Sequence, residues 1–233
     1  MMKIWVLLTA LLLTQKPFTA HAESVPADLL LNPTVFSDKL TQQSVWHTFQ
    51  DSHGALWFLT QEGLNKYIGH ELENYTHVPS NPSSLPANIV TGITEDQNGT
   101  IWVSTLGGGL AKYNSASNAF EAISADPNNK DTPYSNEIHS IYTDSRGTIW
   151  LGYKNGFSTF SPVEHVFHHY ISGNADLPYM GEIYGFTETA DGKIWATTHS
   201  KGLLEIDPAN GYIRSHSHDP DNPNSIVPGR LYR

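Results

Sequence analysis

The chain repeats itself. Gly-Thr-Ile-Trp stands at residues 99–102 and again at 147–150, inside a longer pattern written four times. Aligned on tryptophan, the copies are DSHGALWFLTQEGLNKY (51–67), DQNGTIWVSTLGGGLAKY (96–113), DSRGTIWLGYKNGFSTF (144–160) and TADGKIWATTHSKGLLEI (189–206). Gly54, Gly99, Gly147 and Gly192 lie 45, 48 and 45 residues apart, and Trp57, Trp102, Trp150 and Trp195 keep the same spacings. A unit of that size cannot bury both of its faces alone, so the period commits the chain to packing like units side by side.

Each unit reads as four short strands. In the second they fall at about 90–95, 100–105, 109–114 and 119–123, where residues alternate and β-branched or aromatic side chains gather. Asn98-Gly99 and Asp191-Gly192 mark tight turns between strands. Asp51, Asp96 and Asp144 precede those turns, where a carboxylate can accept backbone N–H bonds; Thr189 takes the place in the fourth copy. Four strands in 45–48 residues is the period of a propeller blade. The expected fold is all-β: a β-propeller with four four-stranded blades at about 45–86, 90–133, 138–178 and 183–228. The glycines make the turns and the tryptophans anchor blade to blade.

The ends carry other signals. Met1-Met2-Lys3, the apolar run Ile4–Thr14 and Ala20-His21-Ala22 have the layout of a secretory signal peptide over residues 1–22. Its apolar run is short for a bilayer span. Without Lys3 and Lys16 the chain holds 11 basic and 23 acidic residues, a net charge of −12, which repels phosphate backbones and argues against nucleic acid as a partner. The absence of cysteine excludes disulfides and thiolate chemistry. At the other end Arg230-Leu231-Tyr232-Arg233 reads as the start of a fifth blade. A ring needs closure, so the expectation is the front of a longer propeller or a truncated product, with 34–37 supplying the outer strand of the closing blade.

The pattern D-x-x-G-x-[IL]-W, a short loop, G-[LF]-x-x-[YFI] and an Asn/Pro-rich linker resembles the two-component regulator propeller repeats. The linkers PSNPSSLPANIV (79–90) and HDPDNPNSIVPGRL (218–231) share the likeness, which covers about residues 35–233. Thr189 and the stretch Tyr153-Lys154-Asn155 depart from it. The resemblance implies the periplasmic input region of a histidine kinase, a hybrid kinase–regulator or a diguanylate cyclase. The output domain and the membrane segment would then lie beyond residue 233.

With strands a to d running outward from the axis, turns a–b and c–d share one face, and loops b–c and d–a share the other. The second face holds the longer loops, where binding residues concentrate. Tyr134, Lys154, Tyr179, His199 and Lys201 are the candidates there for a small polar, carbohydrate-like or anionic ligand; solvated loop residues are the plain alternative. His165-x-x-His168-His169 and His216-x-His218 are read as structural or surface histidines, because zinc needs three or four converging ligands. No nucleophile elbow, P-loop or dinucleotide fingerprint appears, so these 233 residues are expected to hold no catalytic centre, no metal and no cofactor. Two other readings compete with a sensor. One is a secreted lyase similar to the streptogramin lyases, with His139 or His199 as base; the other is a protein-binding scaffold. A homodimer fits any of the three.

Overall fold

The computed structural model describes residues 39–172 and 179–226. The leader at 1–22, the closing strand at 34–37 and the fifth-blade start at 230–233 lie outside the described residues. Among these are sixteen strands and no helix.

The strands form four antiparallel sheets, each a meander in chain order. The first sheet is β1 (His47–Gln50), β2 (Leu56–Thr60), β3 (Gly63–Ile68) and β4 (Glu71–Tyr75). The second is β5 (Val90–Glu95), β6 (Ile101–Thr105), β7 (Gly109–Asn114) and β8 (Ala119–Ile123). The third is β9 (Ser140–Thr143), β10 (Ile149–Tyr153), β11 (Gly156–Ser161) and β12 (Val166–Ile171). The fourth is β13 (Ile183–Glu188), β14 (Ile194–Thr198), β15 (Leu203–Asp207) and β16 (Tyr212–His216). First strands meet in succession, β1 against β5, β5 against β9 and β9 against β13. Each sheet therefore stands with its first strand inward and its fourth outward, as propeller blades do.

Three apolar cores fill the seams between sheets. Trp57, Leu59, Leu64 and Leu85 meet Ile93, Ile101, Val103 and Phe120. Trp102, Leu110 and Ile138 meet Ile149, Leu151, Phe160 and Phe167. Trp150, Phe157 and Met180 meet Phe186, Ile194, Ala196 and Ile206. Each indole thus lies under the sheet that follows its own, burying a large apolar area.

The Asp turn explains why glycine and tryptophan recur together. Asp96 Oδ1 accepts the backbone N–H of Asn98 (2.9 Å) and Thr100 (3.0 Å), and its Oδ2 accepts the Trp102 indole N–H at 2.9 Å. Gly99 N donates to Asp96 O at φ +78°, a left-handed conformation that glycine adopts without strain. Because Thr100 is drawn into the turn, β6 begins at Ile101, one residue later than the pattern predicts. Asp51 and Asp144 repeat the arrangement, with indole bonds from Trp57 (2.9 Å) and Trp150 (3.0 Å). In the fourth turn Thr189 donates instead to Asp191 Oδ1 (2.5 Å), and its short hydroxyl gives Trp195 no carboxylate. Trp195 is accordingly half-buried, against the His216 ring (centroids 5.1 Å apart), not under another sheet.

The linkers between sheets are built to one plan. Ser84 Oγ accepts Val78 N (2.9 Å), Thr132 Oγ1 accepts Asp126 N (3.0 Å) and Ser225 Oγ accepts Asp219 N (3.0 Å). Asn81, Asn129 and Asn222 each accept the N–H two residues on, in Asx turns. The Asn-Pro signals noted in the sequence are thus structural fasteners in two of three linkers. Asn129, followed by Lys130, shows that the proline is dispensable.

Candidate functional site

The face bearing loops b–c and d–a brings histidine, carboxylate and tyrosine together where the third and fourth sheets meet. His139 precedes β9, and Glu182 precedes β13. His139 Nδ1 lies 3.0 Å from Glu182 Oε1, both side chains being only partly exposed. Tyr184 sits with its ring 6.5 Å from His139 and 5.9 Å from His199. His199 N donates to Glu182 O at 2.9 Å, which seats the β14–β15 loop on the fourth sheet's first strand. Lys201, two residues on, places its ammonium 5.5 Å from the ring centre of exposed Tyr179.

Three of the five expected residues, Tyr179, His199 and Lys201, therefore lie in the β13–β15 region at one seam. Tyr134 stands over the third sheet instead, with its ring against Tyr153 (5.8 Å) and His169 (6.0 Å). Lys154 is exposed at the end of β10. Glu182 and Tyr184 escaped the sequence reading. The signal that finds them is alignment of first strands: Tyr184 occupies the position of His139 and Thr91, counted back from the turn residue.

The Glu182 carboxylate fixes the His139 imidazole by accepting from Nδ1–H. His139 Nε2 is then buried and has no partner among the described residues. An imidazole oriented at one nitrogen by a carboxylate and uncommitted at the other can exchange a proton or hold a polar ligand. Tyr153, beneath Tyr134, is held as a neutral phenol, its pKa pushed up to about 12 by burial. The other histidine groups serve the framework. His169 Nδ1 is 2.7 Å from Ser158 Oγ, and its Nε2 faces Lys130 O at 3.1 Å. His165 takes the left-handed place in the β11–β12 turn, at φ +57°. His216 Nε2 meets Glu205 Oε2 at 2.8 Å, and His218 Nδ1 faces Ile226 O at 2.9 Å.

The larger hollows open on the other face, among the Asp turns. One of about 540 Å3 lies along the axis between β1, β5 and β9, lined by His47, Gln50, Glu95 and Tyr142. Another of about 640 Å3 follows the first seam past His53, Lys66, Asn98 and Tyr113. Glutamates bridge this face: Glu95 accepts Ser52 N (2.8 Å) and Ser52 Oγ (2.5 Å), and Glu188 accepts Ser145 N (2.7 Å) and Ser145 Oγ (2.8 Å).

Residues 84–107 and 135–155 match the family described as "Two component regulator propeller". Each span runs from a linker through the Asp turn to the strand behind the tryptophan. These are two-component regulator propeller repeats. Among curated proteins, the regulator propeller chain is 36% identical over 77 residues to Histidine kinase P4 of Formosa agariphila, covering 32% of this chain and 6% of that one. Among solved structures it is similar to the extracellular domain of a hybrid two-component system from B. thetaiotaomicron: 25% identity, TM-score 0.65, 73% of this chain and 24% of the other. It also shares its fold with a catalytically inactive virginiamycin B lyase from Staphylococcus aureus solved with Quinupristin, at 20% identity, TM-score 0.56, 77% of this chain and 57% of the other. The regulator propeller chain thus spans about a quarter of the first extracellular domain and a small fraction of the kinase.

Proposed function

We propose that this chain is the exported, ligand-sensing part of a signalling receptor whose output domain is a histidine kinase or a diguanylate cyclase. The observation that carries the reading is the joint likeness, in repeat sequence and in blade geometry, to the extracellular domain of a two-component system. The ligand is small and polar and binds on the loop face, at the seam where Tyr179, His199 and Lys201 surround the His139–Glu182 pair. A ligand bridging two inner strands there changes how the third and fourth sheets sit together, and a shift of that kind is what a membrane-anchored output can read. The decisive experiment is the intact mass of the native protein from its own cells. A mass far above 25.8 kDa, with fragments bearing kinase or cyclase sequence, is expected. A mass equal to this chain alone removes the output and with it the sensor.

The His139–Glu182 geometry favours one second reading, a lyase that uses His139 Nε2 as its base. Cleavage of a streptogramin by the purified chain, abolished by His139→Ala, is its test.

A further inference from the structure

The first and third seams follow one plan, and a position-by-position comparison shows where they part. In the first, the Tyr75 hydroxyl sits in a closed polar cluster. It donates to Glu73 Oε2 (2.6 Å) and lies within reach of Asn118 Oδ1 and Tyr113 Oη (3.2 Å). Tyr113 donates to Asn118 Oδ1 (2.7 Å), and Lys66 Nζ donates to Tyr113 Oη (3.3 Å). Burial, then the Glu73 hydrogen bond, pushes the Tyr75 pKa far above the ordinary phenol range.

Strand register puts Tyr170 at the same place in the third seam, since Tyr75 pairs with Leu64 and Tyr170 with Phe157, each just after the first glycine of its strand. Every partner has gone. Thr159 stands for Lys66, His168 for Glu73, Ile206 for Tyr113 and Gly211 for Asn118, read off the same ladders. Asn118 and Gly211 both close four-residue hairpin turns in the left-handed conformation, at φ +52° and +73°. A Cβ on Gly211 would meet nothing within 4 Å. The space left is a groove of about 250 Å3, walled by Phe157, Tyr170, Ile206, Pro208 and Ile213. The Tyr170 ring is stacked on Phe157 (4.8 Å), and its hydroxyl bonds to no other described residue.

We propose that this groove binds a neutral, single-ring ligand bearing a carbonyl, whose oxygen takes the Tyr170 hydroxyl as the Asn118 amide takes that of Tyr75. Its volume lies below the range of drug-sized sites and suits one ring. Its wall is aromatic and aliphatic, and its one uncommitted donor asks for an acceptor. Charge rules out an anion: Arg146, at the rim, is already spent on buried Asp144 (2.7 Å), and Asp207 adds a second carboxylate. The site lies on the face opposite the His139–Glu182 pair and stands whether or not the sensor reading does.

Benzamide is the probe and benzoate its charged control, both followed by saturation-transfer NMR on the whole chain. Benzamide should bind and benzoate more weakly. Gly211→Asn restores the missing amide in a backbone conformation asparagine tolerates, and should weaken benzamide at least about tenfold, the groove being filled. Ile206→Tyr fills the groove from the other wall and serves if the first variant folds poorly. Tyr170→Phe should weaken binding roughly fivefold, the worth of one hydrogen bond. No benzamide binding at millimolar concentration overturns the site. So do filled variants that bind like the parent, and benzoate binding tighter than benzamide overturns the neutral class.

Discussion

Asp96 satisfies three donors that have no other acceptor: two turn amides and a buried indole. Asp96→Ala strands them together, and each buried unpaired group costs on the order of 1–3 kcal/mol. A loss of about 3 kcal/mol in urea unfolding is expected, while a surface carboxylate such as Glu121 should change little when removed. The converse holds at Thr189. Thr189→Asp offers Trp195 the acceptor its three counterparts have, and should raise stability by about 1 kcal/mol; an unchanged midpoint would mean that the indole does not need it. Tyr153 gives a prediction in pH. Its folded pKa of about 12 exceeds the usual phenol value near 10. Its contribution is therefore whole below pH about 10 and is lost as pH rises through about 12. Tyr153→Phe should flatten the alkaline limb of the stability curve, read by urea midpoints across that window.

At the scale of the element, strands and turns were legible and seams were not. The alternation in 90–123 places four strands correctly to within one residue, because each strand's pattern is local. The Asp…Gly turn was legible as a backbone device. Its bond to the indole was not, since nothing in an isolated strand says which way Trp102 turns. The loop-face pair His139–Glu182 joins residues 43 apart on two sheets, and only the assembled first strands reveal it. The fourth sheet carries its own electrostatics. Glu205 accepts from Lys193 (2.6 Å) and His216 (2.8 Å), and those hydrogen bonds, Lys193 first, lower its pKa. Asp191 is lowered too, chiefly by the Thr189 hydroxyl. Depressed carboxylate pKa values stabilise above the ordinary carboxylate range, and the gain is lost as pH falls through the lowered values. Amide exchange in β14–β16 should therefore quicken in acid before that in β5–β8, and Glu205→Gln should remove the difference.

For the whole molecule the seams set the order of exposure. Of the five tryptophans among the described residues, Trp57, Trp102 and Trp150 are buried, while Trp46 is 47% exposed and Trp195 is half-buried. Iodide should quench a fluorescence component that Trp46→Phe and Trp195→Phe together remove, and leave the rest intact. Quenching that survives both changes would mean the seams open in solution. The fastening devices have a further consequence. The Asp–indole bond spans six residues, and the Ser84, Thr132 and Ser225 staples span six each. Every repeat thus carries its own hardware, and only the seam side chains must suit a neighbour. Duplication or loss of one such cassette in the gene leaves the rest of the ring in working order, so copy number is the cheapest variable for descendants of this chain to change.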